Sequence, residues 1–303
     1  MPIARTLLLT LLVLSGTTLG ERTRASSNCH DPDQLEVSVT ETTLADVPAI
    51  LRRPKWVTMP PILLWHGFGP PEDERQLMNA LPLDEVPAIK VYLGLPLFGA
   101  RAPAGGMAEV ARRQSEDLAT LVFEPAVMGA ALELPKVVEA LRKMGCLEPG
   151  DGVGVFGFSA GGAATLIALA EADVPIKAAV TLNASTGLDA SVDAFEKATG
   201  RGYPWTDRAR ALARRSNAIE RAADIASPKP PPALLILHGA DDGMLDAGLA
   251  SSLHQALLPH YRAAGTEERL QLEVVPGMAH TWIDTSLLPQ MRATIAEWFV
   301  RTL

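Results

Sequence analysis

Residues 157–161, Gly-Phe-Ser-Ala-Gly, are the strongest constraint on what this chain can become. They follow a short apolar run, Val153 to Phe156, and precede a stretch of small residues, Gly162 to Ala172, that reads as a helix. A strand that passes into a helix through so tight a turn holds its middle residue in a strained conformation, side chain outward. Larger side chains two positions either way would collide, which accounts for the glycines. Ser159 Oγ is therefore expected at the carboxyl end of a strand, where open α/β sheets hold their ligands. The pentapeptide alone also suits a plain Gly-rich turn; its context and its downstream partners favour the sharper reading.

A serine hydroxyl is a weak nucleophile at neutral pH and needs a base, and the base needs a group to orient it. The base candidate is His280, in a Gly/Pro-marked loop (Pro276-Gly277-Met278-Ala279-His280) after the apolar strand Leu270 to Val275. The acid candidate lies in Leu237-His238-Gly239-Ala240-Asp241-Asp242, after the very apolar run Ala233 to Leu237, which reads as a buried parallel strand. The order is Ser, Asp, His, each on a loop after a strand.

With these residues the chain resembles the α/β-hydrolase superfamily over roughly residues 35–303. From Ser216-Asn217-Ala218-Ile219 onward, through Leu-His-Gly-x-x-Asp and Gly-x-x-His, it is similar to the dienelactone-hydrolase and prolyl-oligopeptidase-type serine hydrolases. The resemblance implies a mostly parallel sheet of about eight strands, helices on both faces and a small helical cap. Aligned on Gly239-x-x-Asp it places Asp242 as the triad acid, with Asp241 as the alternative. It also gives meaning to Ile62-Leu63-Leu64-Trp65 followed by His66-Gly67-Phe68-Gly69-Pro70. Such a segment supplies part of an oxyanion hole, two backbone N–H groups aimed at a carbonyl oxygen as it becomes an anion. Ala160, after the nucleophile, would give one; Phe68 would give the other, with Gly69 as the alternative and Pro70 unable to donate. His66 is expected to bind local backbone rather than to react. Serine at the elbow, in place of cysteine or aspartate, departs from dienelactone hydrolases proper and from dehalogenases.

The implied activity is hydrolysis of small-molecule carboxylic esters through an acyl-enzyme. A peptidase, an acyltransferase and a non-catalytic binding protein on the same fold are the other readings. No cofactor is expected, and no metal, since no His/Cys/Asp/Glu cluster has ligand spacing. His238, His254, His260 and His30 are read as structural or solvated.

Forty-eight per cent apolar residues in 303 is enough for one well-buried domain, expected over 34–303. A formal net charge of −8 without a basic stretch argues against nucleic acid and anionic membrane surfaces as partners. Met1 to Arg5, the apolar Thr6 to Leu14 and the small Thr18-Leu19-Gly20 read as an export signal over 1–20, followed by an arm over 21–33. The apolar part is too short to span a bilayer, so a secreted or periplasmic protein with no membrane span after signal cleavage is expected. Cys29 lacks the flanking residues of a lipidation site. Cys29 and Cys146 either pair in an oxidising compartment or remain separate thiols. Nothing in the pattern selects an oligomeric state.

Strands are expected at Gln34–Glu41, Val47–Arg53, Pro61–Trp65, Ala88–Leu93 and Ile176–Leu182. A helical region from Met107 to Met144 should be broken by Pro125 and Pro135. Residues 183–232 are too long for an ordinary connection and read as the cap. Arg208, Arg210, Arg214, Arg215 and Arg221 are candidates for meeting a substrate carboxylate, with spacing selecting none of them; Phe98, Arg101 and Met107 are candidates for the acyl side. The last helix, Ser286 to Thr302, carries a core stripe of Leu287, Leu288, Met291, Ile295, Trp298 and Phe299.

Overall fold

The computed structural model describes Cys29, residues 36–283 and residues 285–303. The expected signal over 1–20, His30 and Gln34 lie outside the described residues, as does the 21–33 arm apart from Cys29.

Eight strands form one sheet: β1 Ser38–Leu44, β2 Val47–Arg53, β3 Ile62–Trp65, β4 Lys90–Leu93, β5 Val153–Phe158, β6 Ile176–Leu182, β7 Ala233–Gly239 and β8 Leu270–Val275. Their spatial order is β1-β2-β4-β3-β5-β6-β7-β8. β2 pairs antiparallel with both β1 and β4, and every pair from β4 to β8 is parallel. Every residue of β3, β4, β5 and β7 is buried, as parallel strands covered on both faces must be. Alternation assigns the layers: Leu63, Trp65, Val153 and Val155 face one core, and Ile62, Leu64, Phe156 and Phe158 the other. The fold is that of an α/β hydrolase.

The first strand starts at Ser38 and runs to Leu44, later than the expected Gln34–Glu41. A two-residue turn sets this register. Ala45 and Asp46 both have positive φ, 50° and 69°, the combination a tight hairpin needs, so Leu44 faces Val47.

The helices are α1 Glu74–Ala80, α2 Gly106–Leu118, α3 Gly129–Lys143, α4 Ala160–Glu171, α5 Leu188–Thr199, α6 Asp207–Ser216, α7 Ala222–Ile225, α8 Ala247–Ala263 and α9 Leu288–Thr302. Between α2 and α3 the chain winds at π pitch over Ala119–Met128. Neither proline breaks this region, contrary to expectation. Pro125 lies in the π-wound segment, whose wider turn eases the clash of its ring with the preceding carbonyl. Pro135 sits inside α3. The break falls at Asp117 (φ −157°, ψ 95°), whose carboxylate accepts the Ala119 and Thr120 N–H groups at 3.1 and 3.2 Å and so starts the helix afresh. α9 begins at Leu288, with Pro289 in its first turn, rather than at Ser286. Its Met291, Ile295, Trp298 and Phe299 are buried, with Leu287 and Leu288 packed beside them.

Residues 183–232 contain α5, α6 and α7, between β6 and β7. Tyr203 bonds Asp117 through its hydroxyl, and Arg208 pairs with Glu124 at 2.8 Å, so this inserted segment is tied to the kinked helical region.

Cys29 and Cys146 form a disulfide, with Cα atoms 5.0 Å apart and 117 residues between them in sequence. Closing so long a loop restrains the unfolded chain. Replacing both by serine is expected to cost about 2–4 kcal/mol, read as a lower urea midpoint with unchanged helical circular dichroism. Equal midpoints would show that the bridge adds nothing.

Candidate active site

The site lies at the carboxyl ends of β5, β7 and β8. Ser159 follows β5 with φ 52° and ψ −114°, a conformation L-residues avoid. Its N–H is tied to the Leu182 carbonyl at 3.0 Å. The glycines permit the turn for separate reasons. A Cβ on residue 157 would overlap the Gly161 carbonyl, and one on 161 the His66 carbonyl. α4 therefore starts in contact with β3, and its N-terminal N–H groups and dipole point to where an anion would form.

His280 joins the other two residues. Its Nε2 lies 3.1 Å from Ser159 Oγ and its Nδ1 2.8 Å from Asp242 Oδ2. An ionised carboxylate only accepts, so it keeps the ring proton on Nδ1 and leaves Nε2 free to accept from the serine. The Asp242 side chain is fully buried, whereas that of His280 is 13% exposed and open to a substrate. Asp242 Oδ1 accepts the Met244 and Leu245 N–H groups at 2.8 and 2.9 Å. Burial favours the neutral acid, but hydrogen bonds from His238, His280 and the Leu245 N–H outweigh it and hold this carboxyl well below the usual aspartate range. Asp241 is exposed. Of the two adjacent acids, the geometry thus pairs Asp242 with His280.

The sequence predicts His238 as a packed or hydrogen-bonded loop residue, and it is both: it is 1% exposed, and its Nε2 lies 3.3 Å from Asp242 Oδ2 and 3.0 Å from the Leu245 carbonyl. Its place in Leu-His-Gly-x-x-Asp, four residues before the acid, is the signal that ties it to Asp242. Asn183, read only as the start of the cap, also bonds the loops carrying Asp242 and His280; an asparagine after a strand looks like any turn.

On the opposite side, the Gly67 N–H donates to the Pro71 carbonyl at 3.1 Å, which rounds the loop and removes that donor from use. Among the described residues, neither the Phe68 nor the Ala160 N–H has an acceptor. A Cβ on residue 67 would meet the Phe158 ring at 2.9 Å and Ser159 Cβ at 3.0 Å, so this loop touches the nucleophile. The Phe68 ring stacks on Phe98, centroids 4.5 Å apart and planes within 8°. Phe158 lies 5.3 Å from the His280 ring and edge-on to buried Trp282 at 5.9 Å, backing the imidazole.

The other candidate contacts have partners of their own or are exposed. Arg101 forms a two-pronged pair with Glu133, at 2.6 and 2.8 Å, and Met107 is exposed. Arg215 and Arg221 both pair with Glu171, Arg208 pairs with Glu124, Arg210 lies over Trp205, and Arg214 is exposed. His254 and His260 lie on α8. Among the described residues no cluster could hold a metal ion.

His66 is wholly buried. Its Nε2 accepts the Leu95 N–H at 3.2 Å, so the proton sits on Nδ1 and is donated to the Gly67 carbonyl at 2.8 Å. Burial pushes its pKa down to about 4. Between that value and the ordinary 6.5 the unfolded chain binds a proton the folded one refuses, so stability falls as pH drops through this window. The loss is expected to approach about 3 kcal/mol by pH 4. His66→Gln should flatten the fall in melting temperature between pH 7 and pH 4.5; an equally steep fall in that variant would place the pH dependence elsewhere.

A model of the prolyl oligopeptidase family matches residues 132–303, more than half of the chain. A search of curated proteins finds no match. Solved structures similar to the chain include TT1662 from Thermus thermophilus, 20% identical with a TM-score of 0.63, covering 88% of this chain and 99% of that one. An esterase from Pyrococcus furiosus is 14% identical, TM-score 0.58, covering 88% and 91%. A puromycin-hydrolyzing peptidase of Mycobacterium tuberculosis is 18% identical, TM-score 0.62, covering 88% of this chain but 39% of its own. At such identities the likeness is one of fold. The family model carries the assignment, and by it the chain is a serine hydrolase belonging to the prolyl oligopeptidase family.

Proposed function

We propose that the protein cleaves carboxylic esters through an acyl-enzyme, with Ser159 as nucleophile, His280 as general base and then acid, and Asp242 as its orienting carboxylate. The observation that carries this reading is the unbroken hydrogen-bond relay from buried Asp242 through His280 to the strained Ser159.

Ser159 Oγ attacks the ester carbonyl while His280 Nε2 takes its proton. The carbonyl oxygen becomes an anion held by the Phe68 and Ala160 N–H groups. The imidazolium, held by the ionised Asp242, returns the proton to the leaving alcohol as the C–O bond breaks. Water, deprotonated by His280, then adds to the acyl-enzyme and releases the acid and the free serine. Each oxyanion donor of this kind is worth about 10²–10³ in turnover.

The similar structures include esterases as well as peptidases. The substrate is a small molecule, not nucleic acid. Export to a secreted or periplasmic location is part of the proposal. The Cys29–Cys146 disulfide supports it, since such bonds persist where the surroundings are oxidising.

Hydrolysis of p-nitrophenyl esters from acetyl to palmitoyl, by wild type and Ser159→Ala in parallel, tests the reading. Turnover by wild type and a loss on the order of 10⁶ in the variant are expected. A variant keeping a tenth of the rate would remove Ser159 from the nucleophile's role. Faster cleavage of aminoacyl amides than of esters would instead make the protein a peptidase, and transfer to added alcohol in preference to water an acyltransferase.

A further inference from the structure

Asn183 is the first residue after β6 and is wholly buried. Its φ is 45°, in the left-handed region, which asparagine enters more readily than most side chains. Its N–H donates to the Leu237 carbonyl at 3.0 Å, adding one bond to the β6–β7 ladder. The side chain then reaches two other loops. Nδ2 donates to the carbonyls of Ala279 and His280, both at 3.0 Å, and Oδ1 accepts the Gly239 N–H at 2.8 Å. One primary amide thus engages both donors and its acceptor. The carbonyls belong to the loop that carries His280, and the N–H to the end of β7, three residues before Asp242. The following residues reach the third member. Ala184 Cβ fills the space beside Gly162, and the Ser185 N–H lies 3.4 Å from the Ser159 carbonyl.

We infer that Asn183 is a positioning residue for the hydrolase site, its amide holding the His280 loop and the Asp242 loop at the spacing the relay requires. This rests on the roles given above to Ser159, His280 and Asp242. Asn183 touches neither the imidazole nor the carboxylate; it acts on the backbones from which they project. The His280 ring must meet an oxygen on either side at 2.8 and 3.1 Å at once, so a small shift of its loop lengthens one bond or the other. A displacement of about 1 Å in such a geometry costs about 10² in rate. The side-chain chemistry is specific. Aspartate has the same shape and keeps the acceptor for Gly239, but it turns an oxygen toward two carbonyl oxygens. Glycine keeps the backbone conformation and loses all three bonds.

The test compares wild type, Asn183→Gly, Asn183→Asp and Ser159→Ala on one p-nitrophenyl ester. Leu257→Ala, on the buried face of α8, serves as a variant destabilised away from the site. Asn183→Gly is expected to lower kcat by about 10² with KM changed by less than about twofold. The low-field proton resonance of the His280–Asp242 hydrogen bond should broaden or vanish in it. Leu257→Ala should lose stability while keeping both kcat and the resonance. Should the glycine variant not fold, the aspartate variant is read by the same criteria. A kcat within about threefold of wild type and an unchanged resonance in the folded Asn183 variant would overturn the inference. Loss of kcat in Leu257→Ala equal to that in the Asn183 variant would do the same, since the effect would then follow stability alone. Retained activity in Ser159→Ala would instead sink the underlying site assignment.

Discussion

The contact of α4 with the ends of β3 and β6 is the constraint on which the rest depends. At Gly161 the helix meets the His66 carbonyl, and at Gly162 it meets Ala184. Side chains at either place would lift the helix from the sheet. The loop after β3 would then lose touch with Ser159, and the turn after β6 would lose its seat beside the nucleophile. Tight packing thus comes first, and the catalytic geometry follows from it.

The electrostatics of the site are built around one buried charge. Removing a carboxylate from water is costly unless every lone pair finds a donor. Asp242 meets two backbone N–H groups on one oxygen and two histidine nitrogens on the other. It therefore stays ionised in a place where an ordinary carboxyl would take up a proton. That fixed negative charge suits a neighbouring imidazole that, in the proposed mechanism, carries a positive charge briefly in each turnover. His66 shows the opposite solution: its neighbours are a carbonyl and an N–H, and burial keeps it neutral.

The candidate site residues are legible in the sequence because few others can replace them at those spacings. Ser159, His280 and the Asp241-Asp242 pair stood out by order and by loop context, and the apolar runs marked most strands to within two residues. Local pattern failed where a distant partner decides the outcome. The bend at Asp117 depends on one carboxylate capping the next turn, and Pro125 and Pro135 misled because helical pitch can adjust around a ring. The resemblance favours Asp242 over Asp241 in the sequence, and Asp242 is the one that meets His280 in the structure. The joining of Cys29 to Cys146 and the pairing of the cap arginines with Glu124 and Glu171 are likewise facts of three dimensions.

The segment between β6 and β7, 183–232, contributes no strand to the sheet. Its later part is held by Tyr203 on Asp117, Arg208 on Glu124, and Lys197 on the Gly243 carbonyl at 2.7 Å. Such an insertion can diversify with little regard for the sheet beneath it, and substrate preference can change while the chemistry stays constant. The freedom has a boundary. Asn183, Ala184 and Ser185 belong to the hydrolase framework although they open the inserted segment, so the interchangeable unit begins after them, and grafts of foreign segments have their natural seam there.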